Sequence, residues 1–301
     1  MAIDSQWANT VLLLPFEDDL LDARGHVTTA SGGAALSSAV GNPFGAGNAL
    51  YCDGTNDRLT ATSADFTLGT GDFSIQFWFY PVDGGHGASY GRLIAIGPQA
   101  TSGILEISSE STFNPMRVLI NSYASGAYND VIDPVATTLA DDVWHFAQLD
   151  RISGVFNFYV DNVLYDTKTV SRDLTRTEFS IGANPDGTDA FKGYFSNVRI
   201  TKAAYRTGHS IPSAPFLRPT IKGVVLNESA AAVAKRVIAL KRSTQVVSGI
   251  ALSDAGTGLY TIYPVDYSEH QVYRADASTY PLVDGGSGEN ALIYDRVIPG
   301  G

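Results

Sequence analysis

The segment Phe73–Tyr80 reads Phe-Ser-Ile-Gln-Phe-Trp-Phe-Tyr. It puts Phe73, Ile75, Phe77 and Phe79 on one side of an extended chain and Ser74, Gln76, Trp78 and Tyr80 on the other. A helix would scatter the four apolar residues around its axis, so the pattern demands a strand with one face against a second layer. Pro81 and the run Val82-Asp83-Gly84-Gly85-His86-Gly87 end it, because proline cannot donate to a ladder and glycine accepts positive φ. Leu93–Ile96, Ile104–Ser108, Met116–Asn121, Val143–Leu149, Val155–Val160, Val163–Tyr165, Phe179–Gly182 and Tyr194–Thr201 read as further strands. Ser153-Gly154 and Asp161-Asn162 fall between two of these pairs as hairpin turns. No ordinary amphipathic helix interrupts them, which makes the chain all-β.

Composition agrees with this reading. Of 31 acidic residues 24 are Asp, a turn former, and the chain carries 30 Gly, 15 Tyr and 14 Phe. A net charge of −11 opposes the counterion release on which nucleic-acid binding depends, so nucleic acid is not an expected partner. No apolar run approaches the length of a membrane span, and no membrane partner is expected. The first residues, Met-Ala-Ile-Asp-Ser-Gln-Trp, offer no basic and apolar succession of the kind that directs secretion. The single cysteine, Cys52, excludes an intrachain disulfide and reads as a buried strand thiol.

Pro212, Pro215 and Pro219 break both helix and ladder, and place a boundary between a domain over 1–216 and a second over 217–301. In the second, Lys222–Leu226, Arg236–Leu240, Val246–Ala251, Leu259–Tyr263, Gln271–Ala275 and Leu292–Ile298 have the length of strands, which predicts a small β-sandwich. Ser229–Arg242 is also compatible with a helix through its alanines and basic residues.

Five blocks now stand in order. They are Asn48-Ala49-Leu50-Tyr51-Cys52-Asp53-Gly54, Gly71-Asp72-Phe73-Ser74-Ile75-Gln76-Phe77-Trp78, Trp144-His145-Phe146-Ala147 with Arg151, Tyr159-Val160-Asp161-Asn162, and Phe191-Lys192-Gly193-Tyr194 with Val198-Arg199-Ile200. Together they resemble the laminin-G-like, concanavalin A-like jelly rolls over about residues 9–216, which implies two curved antiparallel sheets. Asn162 replaces the usual glycine of its turn, and Asn197 stands where an aspartate is common. The ending Arg199-Ile200-Thr201-Lys202, with Tyr205 and Pro212-Ser213-Ala214-Pro215-Phe216, is similar to the version of this domain in tailed-phage virion proteins. The second domain resembles carboxypeptidase-regulatory-like or transthyretin-like, Ig-like sandwiches. Its Asn290–Gly300 segment also resembles the closing module of virion proteins. The resemblance implies a virion structural protein of tail, baseplate, fibre or capsid decoration. It would assemble in a host cytoplasm with other virion proteins, as a homo-oligomer, with a role in host attachment. A secreted carbohydrate-binding or glycan-hydrolysing protein is the alternative.

Because glycosidases share the jelly-roll scaffold, a pair of carboxylates across one bond is the first chemistry to look for. Glu106 and Glu110 are the close pair, about 13 Å apart along an extended chain, and no Asp lies between them. The five histidines are isolated and no Gly-x-Ser-x-Gly elbow occurs, so no catalytic residue is assigned. His145 reads as a packed strand residue. The resemblance brings Glu17, Asp18, Asp19, Asp53 and Asn197 to one edge, where some members hold a structural ion. Asp18, Asp53 and Asn197 are therefore candidate calcium ligands, set against the simpler reading that these residues make turns. Gln76, Trp78 and Tyr80 are candidates for a glycan site, two rings to stack on sugars and an amide to orient them, if they are not core. Tyr90, Tyr123 and Tyr128 are alternative contacts.

Overall fold

A computed structural model describes residues 6–85, 90–99, 101–110, 116–122, 130–132, 139–203, 210–216, 220–224, 236–241, 243–244, 246–264, 269–275, 290–297 and 299. Two compact units divide the chain: Asn9–Phe216, and Leu217–Gly301 together with the first eight residues. No α-helix occurs among the described residues.

The larger unit begins with β1 (Thr10–Leu14), β2 (Thr28–Ser31), β3 (Ala35–Ser37), β4 (Ala49–Asp53) and β5 (Arg58–Thr62). Then come β6 (Phe73–Pro81), β7 (Tyr90–Ile96), β8 (Ser102–Glu110), β9 (Met116–Ser122) and β10 (Asp130–Ile132). It closes with β11 (His145–Ile152), β12 (Val155–Val160), β13 (Val163–Thr169), β14 (Glu178–Ile181) and β15 (Lys192–Lys202). They form two antiparallel sheets. One runs β13-β12-β11-β6-β15-β4-β3 with β1 added to β15, and the other runs β10-β9-β8-β7-β14-β5-β2.

The alternation in β6 decides the layering. Phe73, Ile75, Phe77 and Phe79 are buried in one cluster with Ala147 and Leu149 of β11, Phe195 and Ile200 of β15, and Ile94, Ile96, Leu105, Ile107, Phe179 and Ile181 of the other sheet. Each such side chain removed from water contributes roughly 1.5–3 kcal/mol, so the two sheets are held face to face through this seam. Arg151 sits in the same seam, opposite Phe73 and 5.2 Å above the Phe156 ring, and donates to the carbonyls of Gly69 and Val170. Burial lowers its pKa from the ordinary guanidinium value.

Two hairpins carry the chain from β11 to β13. Ser153 and Gly154 have φ of 51° and 82°, and Asp161 and Asn162 have 50° and 66°. Positive φ at both central residues matches the right-handed twist of the strands they join, and Asn serves at 162 because its short polar side chain tolerates that region.

Apart from the strand around Cys52, the strands of the first 62 residues are not marked in the sequence, for two reasons. Leu12, Leu13 and Leu14 of β1 are all fully buried, so both faces are covered and no alternation marks the strand. β2 and β3 are short and bury no residue fully. Among the expected strands, β11 starts at His145 rather than Val143, after a turn with Asp142 at φ 60°.

The smaller unit contains β16 (Ile221–Val224), β17 (Arg236–Lys241), β18 (Val246–Leu252), β19 (Leu259–Ile262), β20 (His270–Ala275) and β21 (Asn290–Val297). They form a two-stranded sheet, β16-β19, and a four-stranded one, β18-β17-β20-β21. Ile221, Val237, Ala239, Tyr260, Ile262 and Val272 pack between them. Arg236–Lys241 is a strand and not the end of a helix. Ile238 and Leu240 are buried on its other face, which explains an unbroken apolar run that suits either element. The rest of the helix alternative, 229–235, lies outside the described residues.

The second hairpin gives a direct test. Asn162→Val is expected to lower stability by about 1–2 kcal/mol, the cost of placing a β-branched residue at positive φ, whereas Asn162→Gly is expected to be near neutral. Urea unfolding of the two variants checks this.

Candidate functional site

Residues paired across strands point to the same side, so the register of β4, β15, β6 and β11 fixes what the outer face of the first sheet displays. Tyr194 lies opposite Tyr51 on one side and Tyr80 on the other. Trp144 immediately precedes His145, which pairs with Phe79, and so extends the row beside Tyr80. Ring centroids are 4.9 Å apart for Tyr51–Tyr194, 5.7 Å for Tyr194–Tyr80 and 5.5 Å for Tyr80–Trp144, the last two edge to face. The four rings form one line across four strands, about 14 Å long at the usual strand spacing. Tyr51, Tyr80 and Trp144 are partly exposed, and Tyr194 between them is 9% exposed.

Gly193 lets this row close. Its φ is 146°, and a Cβ there would lie 2.1 Å from the Tyr80 carbonyl oxygen, so only glycine allows β15 to approach β6 at this point. Burial, followed by the neighbouring Tyr194 and Asp53, holds the Tyr51 phenol above its ordinary pKa. Burial and then Asp142 do the same for Tyr80, and both stay neutral donors.

The next row inward is closed. Trp78 is 8% exposed, with Phe146 at 5.3 Å and Phe44 edge-on at 5.7 Å, and its indole N–H is unpartnered. Beyond it the outer face turns polar while remaining buried. Gln76 donates to Gln148 (2.8 Å), and Gln148 donates to Asp150 (2.6 Å). Arg199 lies opposite Gln76 and is covered by the Phe216 ring at 4.8 Å.

Of the three expected glycan residues, therefore, only Tyr80 lies in the accessible row. Gln76 and Trp78 share its sheet face but are enclosed, because the central strands are covered beyond the edge row. The sequence alone does not mark Tyr51, Tyr194 and Trp144 as a platform. Alternation beside buried Leu50 and Cys52 marks Tyr51 as outward-facing, but the cross-strand register that joins it to Tyr194 and Trp144 cannot be read from one strand. Tyr90 is 37% exposed on β7 in the other sheet, and Tyr123 and Tyr128 lie outside the described residues.

The expected calcium ligands are not brought together. Asp53 pairs with Lys192, whereas Asn197 lies five residues further along β15, beside Pro15. That is on the order of 15 Å of strand, too far for one ion at the usual 2.3–2.6 Å bond lengths. Asn197 is fully buried. It donates to Ser196 Oγ (3.0 Å) and accepts the Phe216 N–H (2.9 Å). Asp53 accepts the Thr55 N–H at 2.8 Å, Asp19 accepts that of Leu21 at 3.0 Å, and Asp18 is exposed. Both hydrogen bonds span two residues, the turn-making geometry. Among the described residues no three His, Cys, Asp or Glu side chains gather in a metal-like group.

Glu106 is fully buried, 3.2 Å from the guanidinium of Arg92, which also donates to Asn184 and Asp189. The side chain of Glu110 lies outside the described set. His145 is 7% exposed. Its Nδ1 is 2.6 Å from Asp161 and its Nε2 is 2.9 Å from the Ala140 carbonyl. Both partners only accept, so the ring is held as a double donor. Burial pushes its pKa down, but the hydrogen bonds to Asp161 and Ala140 and the charges of Asp161 and Asp141 reverse this and raise it above the ordinary value.

The family described as the concanavalin A-like lectin/glucanases superfamily matches residues 53–207, just over half of the chain. The chain belongs to this superfamily. No curated protein matches it in sequence. Among solved structures, the binding domain of botulinum neurotoxin serotype D is similar at 10% identity and TM-score 0.50, over 97% of this chain and 71% of that one. Domain 4 of AbnA, an extracellular arabinanase from Geobacillus stearothermophilus, in complex with arabinotriose, is similar at 16% identity and TM-score 0.42, over 64% and 92%. A Trypanosoma rangeli sialidase is similar at 13% identity and TM-score 0.44, over 64% and 30%. At these identities the likeness is one of fold.

Two measurements check this geometry. A raised folded pKa at His145 stabilises fully below about pH 6.5, the ordinary unfolded value, and the contribution disappears as pH rises through the folded value. The stability gap between wild type and His145→Gln, from urea midpoints, is expected to be widest near pH 5.5 and to narrow towards pH 8.5. For calcium, equal melting temperatures in millimolar calcium and in chelator are expected. A calcium-dependent rise abolished by Asp18→Asn would restore the ion site.

Proposed function

We propose that the chain is a non-enzymatic carbohydrate-binding protein that presents the row Tyr51–Tyr194–Tyr80–Trp144 to sugar rings. The row carries this reading, because neutral phenols and an indole on a rigid sheet supply apolar faces for stacking and hydroxyls for hydrogen bonds. Glu106 supports a non-catalytic role, since it is neutralised by Arg92 away from solvent, whereas a glycosidase acid or base must reach the scissile bond.

The resemblance of Arg199-Ile200-Thr201-Lys202 and Pro212–Phe216 to the tailed-phage version of this domain favours display on the outside of a virion, with other virion proteins as assembly partners and a host surface glycan as ligand. Many copies on one particle would convert weak sites into firm attachment. A secreted hydrolytic protein is the second reading, favoured by the superfamily's glucanases alone.

Tyr80→Ala and Trp144→Ala are each expected to keep the wild-type circular dichroism spectrum and to weaken binding to bacterial surface polysaccharide by on the order of tenfold. Binding equal to wild type in both folded variants would remove the row from the site. Release of reducing ends, lost on Glu106→Gln, would favour the hydrolytic reading, and immunogold labelling of purified virions tests the location.

A further inference from the structure

The charges around the aromatic row are lopsided. Asp53 follows Tyr51 by two residues on β4, hence on the same face, and is exposed. Lys192 pairs with Asp53 across the strands and precedes Tyr194 by two residues, so it borders the row from β15. This lysine is bound to Asp83, whose side chain is 73% exposed. At the far end stand Asp141 and Asp142, both exposed. Asp142 donates its N–H to the Pro81 carbonyl beside Tyr80, and Asp141 accepts the N–H of Gly84. Among the described residues, four exposed carboxylates thus frame the rings, against one ammonium that one of them already holds.

Both features select for the same charge. An exposed carboxylate within a Debye length of about 8 Å attracts cations and repels anions, and the face of a tyrosine or tryptophan ring attracts a cation through its quadrupole. A sugar carrying a carboxylate meets repulsion at both ends of the row, whereas a protonated amine on a ring stacked there meets carboxylates within reach.

Resting on the platform reading above, we infer that the row takes glycans bearing free amino groups, of the hexosamine class, in preference to neutral or acidic ones. Asp53 and Asp142 select the amine and the four rings hold the chain.

The test uses the full chain and calorimetric titration with three probes: a glucosamine oligosaccharide with free amines, its fully N-acetylated counterpart, and an oligogalacturonate. At low salt the free-amine oligosaccharide is expected to bind on the order of tenfold more tightly than the acetylated one, and the oligogalacturonate most weakly. The advantage is expected to shrink as salt rises, and to vanish in the double variant Asp53→Asn, Asp142→Asn with acetylated binding unchanged. Both substitutions suit their sites, because asparagine can accept the Thr55 N–H at 53 and tolerates the positive φ at 142. Equal affinity for the amine and acetylated probes overturns the inference and leaves the platform standing. Tightest binding of the oligogalacturonate also overturns it. Undiminished binding of the amine probe to Tyr80→Ala and Trp144→Ala assigns the attraction to the chain's net negative charge and overturns it as well. Failure of all three probes to bind removes the platform reading, and the inference with it.

Discussion

Everything in the larger unit depends on the apolar seam between its sheets, and β6 lies at the centre of that dependence. Its Phe73, Ile75, Phe77 and Phe79 reach across to the other sheet, and its backbone pairs with β11 on one side and β15 on the other. Because side chains alternate, commitment of these four to the core dictates which residues face outward, and the same holds for every strand in register with β6. The outer face is a by-product of the inner one.

That outer face changes character along the strands. At one edge it is aromatic and partly open, next to it Trp78 is closed between Phe44 and Phe146, and further in it carries a buried Gln76–Gln148–Asp150 chain. A buried polar chain of this kind is costly, and the hydrogen bonds from Gln76 through Gln148 to Asp150 offset part of that cost while the Gln76 Oε1 stays without a partner. On β6, β11 and β15 the accessible chemistry is therefore confined to the edge row and the charged residues next to it, while Asn157 and Tyr159 on β12 are partly exposed.

The sequence made the layer order legible wherever strands alternate. Phe73–Tyr80 displays its two faces directly, and Asp161-Asn162 announces its hairpin through a residue pair that accepts positive φ. Leu12–Leu14 announces nothing, because a strand covered on both faces has no period. The candidate site was legible in part for a related reason. Alternation places Gln76, Trp78 and Tyr80 on one face correctly, but exposure depends on what lies over that face, and Phe44 comes from a distant loop. Likewise the resemblance implies one edge for Asp53 and Asn197, yet the register with β15 sets them five residues apart.

The aromatic row draws one residue from each of four segments centred near positions 51, 80, 144 and 194, and each contributes at a single register. No peptide cut from the chain contains the row, and no partly folded intermediate lacking one of these strands displays it whole. If the row binds as proposed, recognition is a readout of completed assembly: a nascent or misregistered molecule carries the same aromatic residues without the site.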